Sequence, residues 1–67
     1  MFSGSRLKEC RMEKQYSQSE LANLLKINRA SYNKWEAGKS VPNQKNLATL
    51  ARILDVPTTY FESEYKI

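Results

Sequence analysis

The residues Asn28 to Ala37 read NRASYNKWEA, and their polar members are of the types that recognise hydrogen-bonding edges. Arginine and lysine are long cationic donors that suit guanine. Asparagine carries a donor and an acceptor on one amide and can pair bidentately with adenine. Spacing decides whether they act together. At about 100° per residue, a helix here puts Tyr32 and Trp35 on one side and Ala30, Asn33, Lys34 and Ala37 on the other. Arg29 stands at the flank of the first turn, from where it can reach forward. The aromatic side requires a core. The opposite side fits the major groove of B-form DNA, which admits a helix. Its alanines permit close approach and can touch a thymine methyl.

Charge is distributed to support such a surface. The formal charge is +4, a modest excess, so its placement matters more than its size. Between Lys26 and Lys45 stand Lys26, Arg29, Lys34, Lys39 and Lys45 against Glu36 alone. From Asp55 onward the balance reverses, with Asp55, Glu62 and Glu64 against Lys66. A cationic middle and an acidic end point to one surface for a polyanion.

Other chemistries find little to work with. One cysteine and no histidine in 67 residues leave no disulfide framework and no closed zinc site, so no metal is expected. Ser5-Arg-Leu-Lys8 matches a bare Ser-x-x-Lys pattern without its companion motifs. No glycine-rich phosphate loop is present, and neither an enzyme nor a cofactor is expected. No apolar run is long enough to span a bilayer, and Met-Phe-Ser-Gly does not begin a signal peptide. A cytoplasmic setting follows as an expectation.

The elements that must position these residues are helical. The length allows one domain, 1–67, near the lower limit for folding without staples. Ser5 to Lys14 puts Leu7, Cys10, Arg11 and Lys14 on one side. Ser17-Gln-Ser-Glu20 fits a capping box, followed by an apolar stripe of Leu21, Ala22, Leu24 and Leu25. Asn28 caps the next helix, which ends at Gly38, the residue best suited to a left-handed position. After the loop Lys39–Asn43, Asn43 caps a helix with Leu47, Leu50, Ala51 and Leu54 inward. Asp55 ends it, and Pro57 opens a short fifth helix through Tyr60 and Phe61. The expectation is an all-α bundle of five short helices.

Within it, residues of about 18–37 form a helix pair around the turn Lys26-Ile-Asn28. Ala22 lets the two axes approach closely, and Ile27 plugs the turn. Glu36 lies in phase with the aromatic side of its helix, as Arg11 does with Leu7 and Cys10. An inward arginine and an inward glutamate in so small a domain are expected to meet as a structural salt bridge.

The stretch LANLLKINRASYNKWEAGKSVPN resembles the helix-turn-helix of the Cro and phage-repressor type, the lambda-repressor-like family. The likeness runs from about Leu7 to Phe61. It implies a compact five-helix bundle and sequence-specific binding to double-stranded DNA by a bacterial or phage transcriptional regulator, in particular a repressor. By residue, it implies base contacts from Asn28, Arg29, Ala30, Asn33 and Lys34. It implies phosphate contacts from Gln18, at the opening of the first motif helix, and from Lys39, Ser40, Asn43 and Lys45. The Arg11–Glu36 clasp is also a family feature. Family members bind operator half-sites as dimers, and a chain this short implies a weak or DNA-dependent homodimer. Longer repressors with a C-terminal domain also belong to the family, so the chain can be an N-terminal piece of one. It departs from the family pattern at Lys26 and Asp55, where glycine is common at a left-handed position. The alternative is a protein-interaction module that sets the same helix against an acidic partner. Binding of single-stranded RNA would want exposed aromatics for stacking, and these lie on inward phases.

Overall fold

In the computed structural model, residues 1–62 are described. Four α-helices follow one another: α1 (Gly4–Glu13), α2 (Gln18–Leu25), α3 (Arg29–Glu36) and α4 (Gln44–Leu54). A 3-10 turn over Thr58–Phe61 stands where a fifth helix was expected. The fold is all-α. Its one β-type pairing among the described residues is an isolated antiparallel bridge between Phe2 and Glu62. Glu64 and Lys66, part of the acidic end, lie outside the described residues.

Each α-helix opens on a side-chain cap. Ser3, Ser17, Asn28 and Asn43 accept the backbone N–H of Arg6, Glu20, Ser31 and Asn46 respectively, as an N-cap must to satisfy orphan amides. At α2 the box is closed by Glu20, whose Oε1 accepts from the Ser17 N–H at 2.7 Å. Ser3 starts α1 one residue earlier than the hydrophobic spacing suggested, at Gly4.

The helix ends share a second device. Gln15, Lys26, Gly38 and Asp55 all have φ between 58° and 79°. After each, an N–H reaches back to a carbonyl five residues earlier: Tyr16 to Arg11, Ile27 to Ala22, Lys39 to Lys34 and Val56 to Ala51. This is the Schellman stop, in which an apolar residue just past the left-handed position packs back on the helix. Tyr16, Ile27 and Val56 do so, partly buried against the core. Lys39 is the exception, an exposed cation in the place of the apolar latch. Only one of the four left-handed positions is glycine, so three carry the strain of a Cβ in that conformation.

Leu7, Cys10, Leu21, Ala22, Leu25, Tyr32, Trp35, Leu50, Ala51, Leu54 and Phe61 form the buried core. Leu47 packs against its edge. The Tyr32 and Trp35 rings meet edge to face, with centroids 5.7 Å apart. Two expectations for inward faces fail. Leu24 is 52% exposed, because it stands about 100° around α2 from the centre of the stripe that Leu21, Ala22 and Leu25 form. Lys14 is exposed because α1 ends at Glu13 and the chain turns before a further helical turn could carry it inward.

Gly4 fixes how the first and third helices meet. A Cβ there would lie 2.6 Å from the Glu36 carbonyl oxygen and closer still to that of Trp35. Only glycine lets the start of α1 press on the last carbonyls of α3. The positive end of one helix dipole thereby faces the negative end of another.

Candidate nucleic-acid interface

Behind α3 lies the clasp. The Glu36 carboxylate receives Arg11 Nε at 2.7 Å and Nη2 at 3.3 Å, the Tyr32 hydroxyl at 2.6 Å and Gln18 Nε2 at 2.9 Å. Its side chain is 5% exposed and that of Arg11 11%. A third donor of Arg11, Nη1, goes to the Tyr16 carbonyl at 2.8 Å. A carboxylate has about four lone-pair sites, and here all are taken. Burial alone would push the Glu36 carboxyl up; hydrogen bonds from Arg11, Tyr32 and Gln18 outweigh it and hold the group below its ordinary 4.5. The same bond raises Arg11 further, and burial followed by the Glu36 contact pushes the Tyr32 phenol up. The clasp is therefore a full ion pair at neutral pH, and it ties α1, α2 and α3 together.

In front of α3, Arg29, Ala30, Asn33, Lys34 and Ala37 are all exposed. Arg29, Ala30, Asn33 and Lys34 line a shallow open groove together with Lys39. The fold thus brings four of the five residues expected to read bases onto one surface, with one loop cation beside them. Lys39 is set there by the stop of α3: its N–H donates to the Lys34 carbonyl at 2.9 Å, and the Ser40 N–H donates to the same oxygen at 3.4 Å.

Asn28 is exposed but outside that groove's lining, and its Oδ1 accepts the Ser31 N–H at 2.8 Å. Asn43 is likewise engaged as a cap, accepting from Asn46 N–H at 2.8 Å. For both, the amide nitrogen and one lone pair of the oxygen remain to meet a ligand. Asn43 and Lys45 line a second groove with Lys26, Asn46, Thr49 and the apolar end of α2. Lys45 and Ser40 are exposed.

Gln18 has a role that its position in the sequence did not reveal. Its Nε2 is given to Glu36, while its Oε1 accepts from Arg29 Nε at 3.4 Å and Asn33 Nδ2 at 3.3 Å. Gln18 stands between the clasp and the outer face. A helical wheel places it at the opening of α2, but not against two side chains of another helix. Gly4 was missed as well, since nothing in a lone glycine tells which backbone approaches it.

A family model described as helix-turn-helix matches residues 7–61. The SPbeta prophage-derived uncharacterized HTH-type transcriptional regulator YonR of Bacillus subtilis is 47% identical over 57 residues, which cover 85% of this chain and 53% of that protein. The HTH-type transcriptional regulator DicA of Escherichia coli is 37% identical over 57 residues, covering 85% and 42%. The chain thus spans about half the length of the curated relatives it matches. The crystal structure of the restriction-modification controller protein C.AhdI from Aeromonas hydrophila matches with a TM-score of 0.78 at 33% identity, covering 87% of this chain and 88% of that one.

Proposed function

The chain belongs to the helix-turn-helix family, and from that premise we propose that it is a sequence-specific, double-stranded DNA-binding domain of a transcriptional regulator, acting as a repressor. The observation that carries the proposal is the outward face of α3. Arg29, Ala30, Asn33 and Lys34 share one open surface with Lys39, on a helix braced from behind by two buried rings and a saturated carboxylate.

Residues 1–67 act as one unit, with the motif over about 18–37. Lys39 and Lys45 draw the duplex in and, with Ser40, Asn43 and the spare Nε2 hydrogen of Gln18, grip phosphates. These contacts set register, and α3 reads bases in the major groove. Asn28 contributes chiefly through its amide nitrogen, since its oxygen already serves the cap. Two copies bind half-sites about one helical turn apart, ~34 Å, pairing weakly or only on the duplex.

Salt titration on duplex DNA tests this. Counterion release gives a slope of log affinity on log salt of about −0.9 per phosphate neutralised, so Lys39 and Lys45 alone supply roughly −1.8 per copy. Arg29→Ala costs roughly 1–3 kcal/mol on the preferred sequence while sparing nonspecific binding. Absence of binding at low salt refutes the proposal and favours a module that sets the same face against an acidic protein.

A further inference from the structure

The second groove, between the end of α2 and the start of α4, holds features for which a duplex has no use. We propose that it docks a short acidic and apolar peptide segment of another protein, and that this segment and the duplex exclude one another. The exclusion rests on the DNA-binding reading, whereas the docking stands without it.

The floor of the groove is apolar. Leu24 stands there beside Leu25 and Ile27, with about half of its surface exposed. The rim is cationic: Lys26 and Lys45 stand on it, and no acidic residue lines the groove. Neither lysine enters a salt bridge among the described residues. Arg52 is exposed and lies seven residues beyond Lys45 on α4, so it continues the same side about 10 Å further. Lys26 is kept there against strain. Its φ of 60° is one that a side chain resists, and Gly38 makes the corresponding stop of α3 without one. The stop does not call for a cation, whereas an anion in the groove would use one.

Two classes of anion suit these cations. The phosphates of a duplex need only Lys45 and Asn43 and leave Leu24 open to water, since a sugar–phosphate chain offers no apolar side chain to cover it. A peptide satisfies both parts, with carboxylates at Lys26, Lys45 and Arg52 and a leucine, isoleucine or phenylalanine against Leu24. An extended segment rises about 3.3 Å per residue, so about four or five residues span the cations. Asn43 and Lys45 belong to the phosphate grip as well, and one occupant therefore shuts out the other.

The experiment selects from a pool of random peptides, about a dozen residues long, on the unaltered chain. It maps the enriched peptide by backbone NMR shifts and titrates it against labelled duplex DNA at low salt. Enriched peptides carry aspartate or glutamate around a leucine, isoleucine or phenylalanine, shift the amides of Leu24, Lys26, Ile27 and Lys45, and displace the duplex. Leu24→Ser lowers peptide affinity about three- to tenfold, the worth of half a leucine side chain, and leaves duplex affinity unchanged. Lys26→Gly lowers peptide affinity up to about fivefold, as loss of one exposed ion pair does, although the stop it leaves is less strained.

Neutral peptides, or shifts confined to α3, overturn the docking. A duplex that Leu24→Ser weakens as much as the peptide overturns it too, because the groove then belongs to DNA. Peptide and duplex bound together overturn the exclusion. A peptide seated at Leu24 with no duplex bound removes the DNA-binding reading and the exclusion with it, and the docking stands.

Discussion

Replacing Glu36 by alanine tests the clasp on which the placement of α3 rests. The substitution leaves Arg11, with its side chain 11% exposed, holding only the Tyr16 carbonyl. It also leaves the hydroxyl of fully buried Tyr32 with no acceptor. Breaking a buried ion pair by removing one partner costs about 3–5 kcal/mol. At roughly 0.05–0.15 kcal/mol per residue, a domain of this size holds about 3–10 kcal/mol in all, so the loss takes most of the stability. For small domains each kcal/mol is worth about 4–8 °C, which puts the fall in Tm at roughly 10–40 °C. Urea unfolding gives the free energy directly, and Arg11→Ala with the double variant Arg11→Ala/Glu36→Ala closes the cycle. Because each single variant strands the other half of the ion pair, the double variant loses less than the sum, with a coupling of about 1–3 kcal/mol. A Glu36→Ala loss under about 1 kcal/mol, or strict additivity, refutes the clasp as a structural brace.

The remaining predictions concern acid, a left-handed lysine and a close helix contact. Since the Glu36 carboxyl is held below 4.5 in the folded chain, its contribution is fully present above the unfolded value and is lost as pH falls through the lower, folded one. Melting curves from pH 6 downward therefore show a drop below about 4.5 that Glu36→Gln flattens. Lys26→Gly relieves a Cβ at φ 60°; with relief of about 1–2 kcal/mol offset by the extra freedom glycine has when unfolded, the net gain is about 0.5–1 kcal/mol in urea unfolding. A loss there would mean that Lys26 holds an interaction stronger than its strain. Gly4→Ala drives a methyl into the Trp35 and Glu36 carbonyls and destabilises by about 1–3 kcal/mol, as overpacking does; calorimetry showing no change would dissolve that contact.

Much of the fold was legible because local rules and burial agree in this chain. Ser17, Asn28 and Asn43 announced helix starts, and the spacing of Leu50, Ala51 and Leu54 announced an inward face. The outward face of α3 was readable for the same reason, since two aromatic residues three apart leave only one side for the core. Arg11 and Glu36 could be paired by phase and by the scarcity of room. Other features depended on what lies across a tertiary contact. The start at Ser3 was hidden because no apolar residue near it marks a period. The stop at Gln15 was hidden because glutamine carries no preference for a left-handed conformation. Leu24 misled because hydrophobicity alone does not say how wide a stripe its neighbours cover. Gln18 and Gly4 act on partners 11 or more residues away, a distance at which spacing is mute.

The groups that brace α3 and two of those that face outward from it meet at a single side chain, the amide of Gln18. Exchanging Ala30 or Lys34 touches nothing in the clasp, and exchanging Arg29 or Asn33 gives up one weak, exposed bond; surface changes of that kind are worth about 0.5 kcal/mol or less. Duplicated copies of this chain can therefore drift apart in the sites they occupy without first acquiring compensating changes in their interior. A lineage could explore new operators at almost no risk to folding.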